Sequence, residues 1–142
     1  MIIEQILREK GRNVTTVPDT ASLHAVARIL DEARIGAVVA VSDSGQVAGV
    51  LSERDVVRQV ARNGSAGLEM SVADVMTRDV ITATPQDTLD SCLSTMTDRR
   101  IRHLPILNGG ALDGLVSIGD LVKWKIAETE AEAESLKSYL AS

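Results

Sequence analysis

The stretch QVAGVLSERDVV at residues 46–57 returns as ALDGLVSIGDLV at residues 111–122. Gly49, Ser52, Asp55 and Val57 recur as Gly114, Ser117, Asp120 and Val122, at a constant offset of 65 residues. Reading outward, Pro18 answers to Pro85, Leu23 to Leu89 and Ile35 to Ile101. The offset falls from 67 to 66 to 65, so one residue is lost at each of two loops. Drift confined to loops is what duplication of one folded unit leaves behind. A repeat of this length needs its partner to close a core.

Composition sets the bounds. A chain of 142 residues is one ordinary domain, or two small equivalent halves sharing a core. Hydrophobic residues make up 44%, enough to bury that core, but aromatics only 1%, namely Trp124 and Tyr139 with no Phe. The core is therefore expected to be Val, Leu, Ile, Ala and Met. A net charge of −5 without a Lys/Arg-rich block argues against a primary nucleic-acid binder, and aromatic platforms for base stacking are missing. Cys92 stands alone, which excludes an intramolecular disulfide and fits a reducing compartment. No signal peptide and no membrane-spanning apolar run is evident, so a cytoplasmic protein is expected.

Local patterns give an element order. Residues 2–9 read as a short amphipathic helix ending near Gly11, and Val14 to Val17 as an extended segment stopped by Pro18. Leu23, Val26, Ala27 and Leu30 fall at helical spacing, and Leu89, Cys92, Leu93 and Met96 repeat it. Candidate caps are Asp19, Thr20 or Ser22 in the first half and Asp87 or Thr88 in the second. Strands are expected at Ala37 to Val41 and Leu104 to Leu107, with turns at Asp43-Ser44-Gly45 and Asn108-Gly109-Gly110. Val47 to Leu51 and Leu112 to Val116 then return, each feeding a helix through Ser-x-x-Asp. The domain division expected is a first repeat at 12–62, a linker at 63–71, a second repeat at 72–124 and a C-terminal helix at 125–142. That helix carries a solvated acidic section, Glu128, Glu130, Glu132 and Glu134. Its Leu136, Tyr139 and Leu140 are placed to dock on the body or on a second subunit.

Two readings compete for Ser52/Asp55 and Ser117/Asp120. Serine can cap a helix while aspartate at the third position completes a capping box and favours the macrodipole. Alternatively, a carboxylate that accepts two hydrogen bonds suits the vicinal hydroxyls of a ribose, and free N–H groups at the same helix start attract phosphate. Two copies at homologous junctions with basic residues nearby favour binding. Arg99, Arg100, Arg102 and His103 precede the second strand, whereas Ala33, Arg34, Gly36 and Ala37 carry one charge at the matching positions. Arg102 and His103 are suited to face an anion across a cleft. Arg54 and Arg58 flank Asp55, as assistants or as surface charges. His24 is expected to be exposed and Cys92 to be core. No metal-ligand spacing, nucleophile–base pair, Walker or Rossmann pattern occurs, so neither metal nor catalytic residue is assigned.

Both copies resemble the cystathionine-β-synthase-type (CBS) domain. The resemblance is carried by TVPDTASLHAVARILDEARIGAVVAVSDSGQVAGVLSERDVV (16–57) and ATPQDTLDSCLSTMTDRRIRHLPILNGGALDGLVSIGDLV (83–122), and covers about residues 12–124. Its most specific parts are Gly-h-h-Ser-x-x-Asp, where h is aliphatic, and the RIRHLPI strand. The chain is thus similar to a stand-alone CBS pair, or Bateman module. The resemblance implies an α/β fold of two pseudo-symmetric β-α-β-β-α units packed sheet to sheet, with N- and C-terminal helices, and a homodimer. It also implies an adenosine-containing ligand (AMP, ADP, ATP, S-adenosylmethionine or NAD(H)) in clefts between the units. On that basis Asp55 and Asp120 would hold ribose hydroxyls, Ser52 and Ser117 would support ribose or phosphate, and Arg102 and His103 would face phosphate; Arg54, beside Asp55, is counted with the nucleotide-binding residues as an assistant. Adenine would lie on Lys10 to Val17 and on Met76 to Thr82 (Met76, Thr77 and Val80 among them). It would also lie on Ile35-Gly36-Ala37 or on Ile101-Arg102-His103. The uncharged Gly36-Ala37 makes the two sites unequal.

The function expected is a sensor of adenylate or redox nucleotides that signals to a protein partner in trans, without catalysis. The alternatives are a nucleotide hydrolase using Asp55 and Asp120 as acid and base, and a nucleic-acid-associated regulator, which the acidic charge opposes.

Overall fold

The computed structural model describes residues 1–141, and Ser142, the last residue of the expected C-terminal helix, lies outside the described residues. In chain order the elements are α1 (Ile3–Lys10), β1 (Thr16–Pro18), α2 (Leu23–Ala33), β2 (Ala37–Val41), β3 (Val47–Ser52) and α3 (Glu53–Asn63). A 3₁₀ helix (Gly64–Glu69) follows, then α4 (Val72–Val75), α5 (Leu89–Arg99), β4 (His103–Asn108), β5 (Ala111–Ser117) and α6 (Ile118–Ala141). The order helix, strand, strand, helix occurs twice, as the repeat requires.

The chain divides into two compact units, Val14–Ile81 and Met1–Asn13 with Thr82–Ser142. In the first, β1 pairs in parallel with β2 and β2 antiparallel with β3. Valine recurs in all three of these strands, and α2 lays Leu23, Val26 and Leu30 on them. Val38, Ala40, Leu51, Val56, Val72 and Met76 complete that core. Residues 63–71 are not an open connection. The 3₁₀ helix packs Leu68 against the core, and Gly67 lies where an added Cβ would meet the Gln59 carbonyl oxygen at 2.5 Å.

The second unit repeats the plan with local differences. β4 pairs antiparallel with β5, and the counterpart of β1 shrinks to one parallel bridge between Ala83 and Ile106. Ser22 and Thr88 cap α2 and α5 by accepting the backbone N–H groups of Ala25 and Ser91, both at 3.1 Å. Both helices end on an arginine in the left-handed conformation, Arg34 and Arg100, each at φ 54°. Cys92 is buried, as expected, and burial pushes its thiol pKa up.

Each unit also holds the segment that precedes the other repeat. In the second unit α1 docks through Ile3 N–H to the Asp87 carbonyl (2.9 Å) and Glu4 N–H to the Pro85 carbonyl (2.8 Å). In the first unit α4 docks in the same way, Val72 N–H to Ala21 and Ala73 N–H to Asp19, both at 2.8 Å. The repeat glycines make room for these segments. A Cβ on Gly114 would meet Leu7 Cδ2 at 2.6 Å, and one on Gly49 would meet Met76 Sδ at 2.5 Å. The glycine of the repeated motif is therefore a close-approach position rather than a turn.

Candidate functional site

In the first unit, Ser52 ends β3 in extended geometry and becomes the N-cap of α3. Its N–H donates to Asp55 Oδ2 at 2.8 Å, and the Asp55 N–H donates back to Ser52 Oγ at 3.4 Å. This is a reciprocal capping box, so the structural role read from the sequence is realised. The Ser52 hydroxyl lies 3.1 Å from the same carboxylate oxygen, and Arg58 donates to Oδ1 at 3.3 Å. Gly36 and Ala37 border this junction. The Glu53 N–H donates to the Gly36 carbonyl at 2.9 Å, and Ala37 is in register with Ser52. Met76 and Thr77 belong to this unit too. Thr77 exchanges two backbone hydrogen bonds with Val50, at 3.0 and 3.1 Å. Met76 is buried against Gly49, so its side chain serves the core. Val80 is half-buried and Arg54 exposed. A groove of about 540 Å³ opens beside α2 and α3, lined by Leu30, Ile35, Gly36, Val56 and Val57 among others, but by neither Ser52 nor Asp55.

The second unit builds the same box with different company. Ser117 N–H donates to Asp120 Oδ2 at 2.9 Å, and Asp120 N–H donates to Ser117 Oγ at 3.1 Å. His103 is in register with Ser117, and the Ile118 N–H donates to the Arg102 carbonyl at 2.9 Å. Ile101 is half-buried beside them and Arg102 exposed. Lys10, at the end of α1, also reaches this junction. Its ammonium donates to the Leu115 carbonyl at 2.6 Å and to Asp120 Oδ2. One carboxylate oxygen thus takes two strong donors, a backbone N–H and an ammonium.

Charge follows from this contact. Burial works to raise the Asp120 pKa, but the hydrogen bond from Lys10 and the N–H of Ser117 outweigh it. The net position lies below the ordinary carboxylate range. Nearby, Arg12 bridges Glu4 and Asp113, with its Nε 3.4 Å from Asp113 Oδ1. Asp113 Oδ2 is buried without a hydrogen-bond partner.

The predicted residues thus fall into two sets. Asp55, Ser52, Arg54, Gly36, Ala37, Met76, Thr77 and Val80 lie in one unit, and Asp120, Ser117, Arg102, His103, Ile101 and Lys10 in the other. Lys10 precedes the first repeat in sequence but stands at the Ser-x-x-Asp junction of the second. Sequence reasoning placed Lys10 on the adenine path and missed its pairing with Asp120. No local signal links residues 110 positions apart. Arg12 and Asp113 were missed for the same reason. Among the described residues no group of His, Cys, Asp and Glu is arranged to hold a metal ion, and no helix is long and apolar enough to cross a membrane.

Comparison with known proteins agrees with this architecture. The sequence profile of the CBS domain matches residues 4–62 and again residues 72–127. The chain is 30% identical to the CBS domain-containing protein CBSX3, mitochondrial, of Arabidopsis thaliana, over 97% of this chain and 71% of that protein. A crystal structure of a CBS-domain containing protein from Agrobacterium tumefaciens is 40% identical. It superposes with a TM-score of 0.83 over 86% of this chain and 91% of its own. A CBS domain protein from Pyrobaculum aerophilum, solved in complex with AMP, is 28% identical. Its TM-score is 0.76 over 84% of this chain and 89% of its own. The duplicated fold, the doubled Ser-x-x-Asp junction and the two profile matches make this chain a member of the CBS-domain family, carrying two copies of the domain.

Proposed function

We propose that the protein is a regulatory module that binds an adenosine nucleotide of the AMP class at its Ser-x-x-Asp junctions and signals occupancy to a protein partner in trans. The observation that carries the reading is the Asp120 carboxylate, ionised and fixed at the start of α6, at a junction where His103 is in register with Ser117 and the Arg102 carbonyl accepts from Ile118. A carboxylate offers about four acceptor positions, and those used here converge on Oδ2. Oδ1 is the oxygen a ribose hydroxyl would take first. The AMP complex of the Pyrobaculum relative supports the ligand class. ADP, ATP, NAD(H) and S-adenosylmethionine share the adenosine moiety and belong to the same proposal.

In this reading the chain's residues bind and orient, and no bond is made or broken. Asp120 and Asp55 hold the ribose diol, Ser117 and Ser52 keep those carboxylates aimed, and Arg102 and His103 meet the phosphate. The junctions are unequal because Gly36 and Ala37 bring no charge where Arg102 and His103 stand. The Asp120 site is therefore the stronger for phosphorylated ligands. A diol that claims both oxygens of Asp120 competes with Lys10 for Oδ2, which links occupancy to the end of α1. A ligand shifts a conformational equilibrium only through such a difference between states. Isothermal titration calorimetry with AMP tests the assignment: Asp120→Ala should weaken binding at least ten-fold, on the order of 1.4 kcal/mol. Unchanged affinity in both Asp120→Ala and Asp55→Ala would leave the two boxes as helix caps alone.

A further inference from the structure

The C-terminal helix α6 docks on its own unit by one narrow side. Leu121 is buried, Trp124 and Glu128 are half-buried, and Lys125 bonds Asp90 at 2.9 Å and Glu128 at 3.4 Å. A different side carries Val122, Ile126, Thr129, Ala133, Leu136 and Leu140, a row in which Thr129 alone is polar. Their spacing alternates four and three residues, the period that keeps one seam facing a partner helix. All six are exposed, Val122 by 44%, Ile126 by 54%, Leu136 by 59% and Leu140 by 74%. From Thr129 to Ala141 every residue of the helix is exposed, so among the described residues nothing covers this part of the seam.

We infer that α6 pairs with α6 of a second copy of this chain as a short, parallel, in-register coiled coil. The charges beside the seam choose the partner and the direction. Lys123, Glu130 and Lys137 flank it on one side, and Lys125, Glu132 and Tyr139 on the other. In a parallel pair the flanking residue of one helix faces the opposite flank five residues further along the other. That sets Lys125 against Glu130 of the second copy and Glu132 against Lys137 of the second copy, two attractive contacts. Symmetry doubles each of them. An antiparallel pair centred on the same seam sets Lys123 against Lys137, Glu130 against Glu130 and Glu132 against Glu132, all repulsive. Lys125 already serves Asp90 and Glu128, so the pair of Glu132 with Lys137 is the more informative one. The two central layers are Thr129 and Ala133, which bury less apolar surface than the aliphatic layers on either side, so the association depends on concentration. This inference is independent of the ligand reading, because no seam residue belongs to either Ser-x-x-Asp junction.

The test uses the full chain. Cys92 is buried, so the parent protein serves as the blank for oxidative cross-linking. Leu136→Cys places a thiol in the seam, and Ser138→Cys places one on the outer side of the same exposed stretch. A disulfide-linked dimer forming readily from Leu136→Cys but not from Ser138→Cys is the expected result. Sedimentation equilibrium then follows the charges. Glu132→Lys should weaken self-association roughly three- to ten-fold, and Glu132→Lys with Lys137→Glu should restore it. Equal cross-linking of both thiols, cross-linking only when Ile126→Cys and Leu136→Cys chains are mixed, or an association indifferent to Glu132→Lys would overturn the proposal. So would a parent chain that stays monomeric.

Discussion

Asp120 and Lys10 show what a single contact does in this chain. The ammonium holds the carboxylate ionised, and the carboxylate ties the last turn of α1 to the second Ser-x-x-Asp junction. Both side chains keep some exposure, so the pair is worth at most about 1 kcal/mol. Lys10→Met should therefore lower stability at neutral pH by about that amount, measured by urea denaturation. The sign of the pH dependence is fixed by the lowered Asp120 pKa. Its stabilising effect is full above the unfolded carboxylate value near ~3.9 and fades as pH falls through the lower, folded value. The gap between parent and Lys10→Met should close over that acidic window. A gap of the same size on both sides of it would mean that Lys10 acts by packing. Ser117 and Asp120 were legible at this scale because serine and aspartate three apart announce a helix start. Lys10 was not, because a contact spanning 110 residues leaves no periodicity or local spacing to read.

At the scale of elements, the repeat was readable wherever a side chain recurs and silent wherever a backbone meets another segment. The strand Ala37–Val41 and the starts of α2 and α5 follow from apolar spacing and capping chemistry. What the spacing of Gly49 and Gly114 did not disclose is why glycine is needed, since the occupant arrives from the segment ahead of the other repeat. The short α4 was invisible for a related reason. Four residues are too few to display a helical period, and its position is fixed by hydrogen bonds to Asp19 and Ala21. Residues 63–71 read as a linker from their glycine and serine content. Gly67 is there because the 3₁₀ helix passes close to the α3 backbone. Two stability predictions belong here. Gly114→Ala should destabilise by about 1–3 kcal/mol, because the new methyl group drives into Leu7. Arg100→Gly should stabilise by about 1 kcal/mol, because it relieves a left-handed backbone that costs any residue with a Cβ. Thermal unfolding of the two variants reads both signs. A neutral Gly114→Ala would show that α1 is free to shift on β5.

For the whole molecule, duplication explains both the fold and its asymmetry. Each repeat keeps the same capping box, which fixes the start of the helix that follows it. The surroundings have diverged. One carboxylate is paired with a lysine from another element, at a junction that Arg102 and His103 border through the backbone, while the other is paired with Arg58 of its own helix, at a junction that Gly36 and Ala37 border. On the proposed reading, unequal neighbours make the two boxes unequal nucleotide sites. The family membership was legible from the doubled motif, because a glycine, serine and aspartate pattern repeated at a fixed offset is specific. The inequality was legible only in part, from the missing charges at Gly36 and Ala37. Whether the Asp120 junction binds a nucleotide is decided by calorimetric titration of AMP into the parent protein and into Asp120→Ala. Saturable binding in the parent and at least ten-fold weaker binding in the variant are expected, with the fold of the variant intact by circular dichroism. Equal affinity in the two proteins, or no binding of AMP by the parent, would contradict the assignment.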